Sequence, residues 1–342
     1  MTSASESGTR TKRSRWDVTS LMDGLHREFD ALERFRAGVM QQRQAGFRAL
    51  GIAGAICGGA GLLVMLVLAG GNGPAPLGLI AGVGAFGIAW IVIHNVYFGG
   101  RRSAYEGEFK QRVVRGMTRL LEPEMDYHPH EGLSLEWFRA ADLYSGDIDR
   151  YACEDLFQGR IGKTDLIFSE VHAEDRRTRT DSKGRTQTYY VTIFRGLLVV
   201  ADFHKHFRSE VVVLPDFAEK NFGWLGRKMQ NLAGNVERME NPEFEEAFVV
   251  RAADAVEARY ILTPDMQERM LDLRRRLGAD VRFAFRDSRV YITIPNSADW
   301  FEPSLHVPAR DVGQVRTLMG QMAAVFNIVE ELNLNTRIWT KE

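Results

Sequence analysis

Three short stretches of this 342-residue chain carry residues of a type and spacing that could do chemistry. Gly162-Lys163-Thr164 matches the end of a P-loop, in which a glycine-rich turn cradles phosphates and a helix follows. The glycine expected five residues before Gly162 is instead Phe157, and Asp165-Leu166-Ile167-Phe168 reads as a strand. Without the wrapped loop and a helix N-terminus there is nothing to hold phosphate, so a polar β-turn is expected. His204 and His206 would share one face if they lie on a strand, and His172 or Asp202 could add a metal ligand. His128 and His130 repeat the spacing, but two imidazoles underdetermine a site that needs three or four ligands, and no HExxH or CxxC motif accompanies them. Surface histidines at strand ends are the preferred reading; a metal-dependent enzyme of unrecognised type is the alternative.

The third stretch is basic. Arg176, Arg177, Arg179, Lys183 and Arg185 lie between two strand-like runs, around Ser182-Lys183-Gly184. They read as an exposed hairpin tip, where each cation could add about 1 kcal/mol of attraction to an anionic leaflet. Solubility of the tip is the plainer explanation. Nucleic acid is not an expected partner, because no aromatic residue interleaves these cations within the loop and the net charge is −1. There is no GxSxG elbow, Cys153 has no context marking it as a nucleophile, and Asp147 and Asp149 lack the rest of a calcium loop. No cofactor and no catalytic residue is expected.

The elements that must position these residues begin with a gap in charge. From Ala49 to Gly100 there is no Asp, Glu, Lys or Arg, although 26% of the chain is charged. Gly70-Gly71-Asn72-Gly73-Pro74-Ala75-Pro76 interrupts the gap, leaving Ala49–Ala69 and Leu77–Phe98 at about the 20 residues a membrane-spanning helix requires. Arg43 and Arg48 precede the pair, and Arg101, Arg102, Lys110, Arg112 and Arg115 follow it, so both termini are expected in the cytoplasm. Trp90, Tyr97, Phe98 and His94 suit the cytoplasmic interface. Gly54/Gly58 and Gly78/Gly82, with Ala81, Ala85 and Ala89, would let the spans pack closely, and the same glycine-rich faces could serve an oligomer. The mean hydropathy of −0.23 limits the membrane part to a minor fraction. Cys57 and Cys153 are expected to be free thiols.

Amphipathic helices flank the hairpin: Leu21, Leu25, Phe29, Leu32, Phe35 and Val39 before it, Tyr105, Phe109, Val113, Met117 and Leu121 after it. They are expected to pair as a stalk. Beyond Glu124 the texture is α+β. Strands are expected at Leu156–Ile161, Leu166–Ala173, Thr188–Phe203, Val211–Leu214, Val281–Phe285 and Val290–Ile294. Helices are expected at Leu133–Leu143, Phe217–Leu232, from Thr263 to Gly278, and from Pro308 to about Leu332. Phe244–Val250 and Ala255–Leu262 read as extended or mixed. Clustered strands favour a mainly antiparallel sheet. The expected organisation is a disordered basic tail at 1–16, a juxtamembrane amphipathic helix at 17–48, a transmembrane hairpin at 49–100, a post-membrane helix at 101–125 and a cytoplasmic α+β domain at 126–342.

Asn241-Pro242-Glu243-Phe244-Glu245-Glu246-Ala247-Phe248-Val249-Val250, Ala255 to Pro264 and Phe301-Glu302-Pro303 resemble the bacterial family called domain of unknown function 3137. Tyr151–Gly159 and Phe194-Arg195-Gly196-Leu197 extend the resemblance over most of the chain beyond the hairpin, with Ala252-Ala253-Asp254 departing from its more polar turn. The resemblance implies a two-span protein of a bacterial inner membrane with a cytoplasmic domain, and a membrane-associated protein partner of the LemA-like kind. It supplies no catalytic residues. A membrane-anchored interaction or scaffold protein is the leading expectation, ahead of a lipid-surface module built on the basic hairpin.

Overall fold

The computed structural model describes residues 17–70, 76–97, 100–180, 182–216 and 235–335. The basic tail, the glycine-proline turn at 71–75 and the helix expected at Phe217–Leu232 lie outside them. The chain divides into two units, one made of Leu25–Val113 and Pro303–Val315, the other of the remaining residues.

The first unit is helical. A 45-residue helix α2, His26–Gly70, follows the short α1, Val18–Gly24, of the second unit. It packs along α3, Pro76–Tyr97. The two helices run antiparallel, because Gly54 meets Phe86 where Gly61 and Cys57 meet Gly82. A Cβ on Gly82 would sit 2.9 Å from the Cys57 carbonyl oxygen and 3.2 Å from the Gly61 Cα, so only glycine permits this approach. Gly58, by contrast, has nothing within 4 Å, so the tightest approach falls one turn beyond the expected Gly54/Gly58 face. The outer faces carry large exposed apolar side chains, among them Ile52, Ile56, Leu63, Val67, Ile88 and Ile91. Both helices are long and apolar enough to cross a membrane.

The polar half of α2 buries Phe29, Leu32 and Val39. Against it packs α4, Arg101–Phe109, with Tyr105 and Phe109 fully buried, and a π-helical turn, Lys110–Val114, follows. The 303–315 segment is tied to the same helix. Glu33 accepts a hydrogen bond from the Ala309 N–H at 2.8 Å, Arg36 donates to the Leu305 carbonyl at 3.1 Å, and Arg310 pairs with Asp30 at 2.8 Å. The Arg36 guanidinium holds the Glu33 carboxyl below its ordinary range.

The second unit is an α+β fold around one antiparallel sheet with nine strands among the described residues. In chain order these are β1 (Met125–His128), β2 (Arg150–Ile161), β3 (Thr164–Thr180), β4 (Thr186–Asp202), β5 (Val211–Pro215), β6 (Asn235–Glu237), β7 (Phe248–Ala252), β8 (Arg282–Arg286) and β9 (Arg289–Pro295). Their spatial order is β1-β2-β3-β4-β9-β8-β5-β7-β6. Among the described residues, the helices of this unit are α1, α5 (Arg115–Leu121), α6 (Leu135–Ala141), α7 (Pro242–Ala247), α8 (Ala255–Ile261), α9 (Pro264–Leu277), most of α10 (Val312–Phe326) and α11 (Ile328–Glu331).

Alternation along the central strands builds two apolar faces. On one, Phe138 and Ala141 of α6 cover Leu156, Val171, Phe194, Leu198 and Tyr291. On the other, Phe157 stacks on its cross-strand neighbour Phe168 with centroids 4.4 Å apart, under Phe301 and the edge of Phe326. Of the segments expected to be extended or mixed, 244–250 is mixed, with helix to Ala247 and then β7, and 255–262 is helical to Ile261. Asn241 accepts from the Glu243 and Phe244 N–H groups ahead of Pro242, and Asp254 accepts from Val256 and Glu257. N-capping there outweighs the β-branched content that favours a strand. The last expected helix is shorter and interrupted, with α10 ending at Phe326 and α11 restarting at Ile328.

Candidate functional site

Gly162 and Lys163 form the two-residue turn between β2 and β3. Asn335 receives the Lys163 N–H at 2.8 Å and the Thr164 hydroxyl at 3.0 Å. Its structural partner is therefore an asparagine side chain. β4 ends at Asp202, so His204 and His206 lie in the connection to β5 and not on a shared strand face. His204 buries its Nε2 without a hydrogen-bond partner, while His206 is exposed. His172 is on β3, within 3.3 Å of the Thr192 hydroxyl and 3.8 Å of Glu174. Of the basic cluster, Arg176, Arg177 and Arg179 stand on β3 itself, because the strand runs on to Thr180; Lys183 and Arg185 occupy the turn.

Apart from His130 and His172, the polar groups that converge were not singled out in the sequence. They line a cleft of about 500 Å³ on the sheet face that carries Phe168. Its floor comes from alternate residues of three strands: Ala152 and Glu154 of β2, Glu170 and His172 of β3, and Arg195 of β4. Register places Ala152, His172 and Arg195 in one row and Glu154 opposite Glu170 in the next. Its walls are Pro129-His130 and Ala298-Asp299.

A β-bulge supplies the third acid. Pairing shifts between Glu154 and Phe157, so Asp155 and Leu156 together oppose Ser169. Asp155 adopts φ 57°, a left-handed conformation that aspartate tolerates better than most residues. Its carboxylate turns inward, fully buried, and accepts the Tyr127 hydroxyl. Ligand oxygens of Glu154, Asp155 and Glu170 then lie within 4.8 Å of one another. Among the described residues these three are the set that could hold a metal ion.

Glu170 retains 9% exposure, and one oxygen accepts the Trp300 N–H. Burial first, and then the neighbouring Asp155, Asp299 and Glu154, push its carboxyl up to about 8. At neutral pH Glu170 therefore keeps its proton. The cleft thus offers a carboxylic acid as donor beside the Asp155 oxygen that accepts from Tyr127. Burial and the Asp155 carboxylate push the Tyr127 phenol far above its ordinary value, fixing it as a donor. Burial also raises Cys153, keeping it a thiol rather than a nucleophilic thiolate.

The loop after β9 closes one side. The Asn296 N–H donates to the Arg195 carbonyl at 2.9 Å, Arg195 pairs with Asp299, and the Phe301 N–H donates to Gln321 at 3.1 Å. Gly196 beneath it has φ 149°, and a Cβ there would collide with the Ile294 carbonyl oxygen. On the opposite sheet face a second cleft holds a row of charge across four strands, Arg160, Asp165, Asp202 and Arg289. Arg160 bonds Asp165 at 2.8 Å and holds it below its usual range, whereas burial and Asp165 raise Asp202.

Residues 192–334 match a family described as protein of unknown function, DUF3137. That span runs from β4 to the end of α11 and includes Arg195, Gly196 and the 296–302 loop, but not the acidic strands β2 and β3. No curated protein matches the chain. Among solved structures, the crystal structure of the mycobacterial trehalose monomycolate transport factor A, TtfA, aligns at 8% identity with a TM-score of 0.31. The alignment covers 64% of this chain and 90% of that one. A likeness at that level establishes no shared fold.

Proposed function

We propose that the protein is a membrane-anchored interaction module, in which α2 and α3 span a bilayer and the α+β unit binds a protein partner at the cytoplasmic surface. The supporting observation is the outer surface of the helix pair. Ile52, Ile56, Leu63 and Leu66 on α2, and Ile80, Val83, Ile88 and Ile91 on α3, are each more than half exposed. No charged residue stands among them. Leaving such a surface in water costs about 25 cal/mol per Å² of apolar area, and a hydrocarbon core removes that cost. The arginines at both flanks favour termini on the cytoplasmic side of an inner membrane. The reading as a binding module draws on the α+β unit's size and on the placement of His204 and His206 beyond the end of β4, off any shared strand face.

Alkaline carbonate extraction of cell membranes tests the anchor: the full chain should stay in the pellet, and release into the supernatant would refute it. Crosslinking in intact membranes followed by purification tests the partner, with a LemA-like membrane protein as the expected class. Recovery of the chain alone at every crosslinker length would oppose that reading.

A further inference from the structure

β3 and β4 extend beyond the sheet that contains them. β2 pairs with β3 only as far as Glu174, and β9 pairs with β4 only from Gly196, yet β3 and β4 stay paired out to Thr180 and Thr186. Residues 175–180 and 186–191 therefore form a two-stranded ribbon that reaches about 20 Å past Glu174, at roughly 3.4 Å per residue. None of its described side chains is buried. A bare two-stranded ribbon is marginal in water, so this one has no core of its own to justify its length.

Its chemistry is uneven. Five cations, Arg176, Arg177, Arg179, Lys183 and Arg185, stand in residues 175–187 against two aspartates. Pairing also supplies the aromatic residues that the loop itself lacks: Tyr189 stands opposite Arg177 and Tyr190 opposite Arg176. Tyr189 is 45% exposed, while Tyr190 lies beneath the Arg150 guanidinium, 3.3 Å from its ring centroid. Protein interfaces are centred on an apolar, charge-depleted patch, and neither face of this ribbon has one. Clustered Lys and Arg with interfacial tyrosine are instead what an anionic headgroup layer attracts.

We propose that the ribbon 175–190 docks on the anionic surface of a lipid bilayer through these five cations and Tyr189. This rests on the anchor reading and adds a second, composition-dependent contact to it. The test is hydrogen exchange of the full chain in nanodiscs of phosphatidylcholine alone, or with about 30% phosphatidylglycerol, at low salt and at about 0.5 M, where the Debye length falls to a few ångströms. Amides of 175–190 should exchange at least severalfold more slowly with phosphatidylglycerol, only at low salt. The variant with all five cations replaced by Gln should show no lipid dependence while residues 197–201 keep wild-type protection. Equal ribbon exchange in both lipids at low salt would overturn the proposal, and so would salt-insensitive protection in both, the signature of a protein partner. The wild-type comparison decides the matter even if the variant fails to fold. Fast exchange at 49–67 in both discs would overturn the anchor alone; the ribbon's lipid dependence is then read with the same chain added to phosphatidylglycerol vesicles.

Discussion

Glu170→Gln tests the acidic cleft most directly. Gln preserves the size of the side chain and the oxygen that accepts from Trp300, but it cannot ionise. The sign follows from proton uptake. The Glu170 carboxyl has an ordinary value of 4.5 and a folded value of about 8, so between those limits the folded chain binds more protons than the unfolded chain. Stability must therefore fall as pH rises through that window, with no penalty below 4.5 and no further loss above about 8. At about 1.4 kcal/mol per unit, the wild type should lose about 3.5 kcal/mol between pH 5 and pH 8 through this group, an upper figure that local relaxation reduces. Each kcal/mol shifts the midpoint of a unit this size by about 2–4 °C, so the gap should approach 10 °C. Thermal unfolding of the full chain in detergent, followed by near-ultraviolet circular dichroism, gives the measurement. Glu170→Gln should match the wild type near pH 5 and exceed it increasingly toward pH 8. A difference that stays flat across that range, or that favours the wild type at pH 8, would refute the account of Glu170 as a buried protonated acid.

Two further substitutions probe the supports of the same cleft. Tyr127→Phe removes a donor to the fully buried Asp155 and should cost about 1–3 kcal/mol; unfolding in urea at pH 7 measures it, and a neutral result would mean Asp155 does not depend on that bond. Gly196→Ala forces a Cβ against the Ile294 carbonyl at a backbone angle L-residues avoid, and should cost roughly 3 kcal/mol or more. A variant that melts with the wild type would show that the β4–β9 pairing can shift there.

How much of this could be read in advance depended on the kind of signal. The charge gap from Ala49 to Gly100 and the apolar, β-branched and aromatic runs at Leu166–Ala173 and Val290–Ile294 are local composition signals, and the helix pair and the central strands fall on them. Asn241-Pro242 and Asp254 cap short helices, but β-branched residues just beyond them pull the sequence reading toward strand. The acidic cleft was not legible. Asp155 joins Glu154 and Glu170 only because an extra residue enters β2 opposite Ser169, and no local pattern marks a bulge. Trp300 reaches Glu170 across 130 positions of sequence, a proximity that periodicity does not encode. For the basic hairpin the composition was visible, but strand propensity gave no warning that Arg176, Arg177 and Arg179 sit on paired strands opposite tyrosines.

The length of α2 has a mechanical consequence. From His26 to Gly70 it is one unbroken helix of about 67 Å at 1.5 Å per residue, with its apolar half and its polar half on a single axis. It has no proline and no π-turn along that run to act as a joint. A tilt of about 10° in the apolar half therefore swings the Phe29 end, some 28 Å from Arg48, through about 5 Å. Glu33, Arg36 and Asp30 hold the 303–315 segment to that end. The helix is thus a lever that can convert a tilt of its apolar half into displacement of a chain segment more than 260 residues away in sequence.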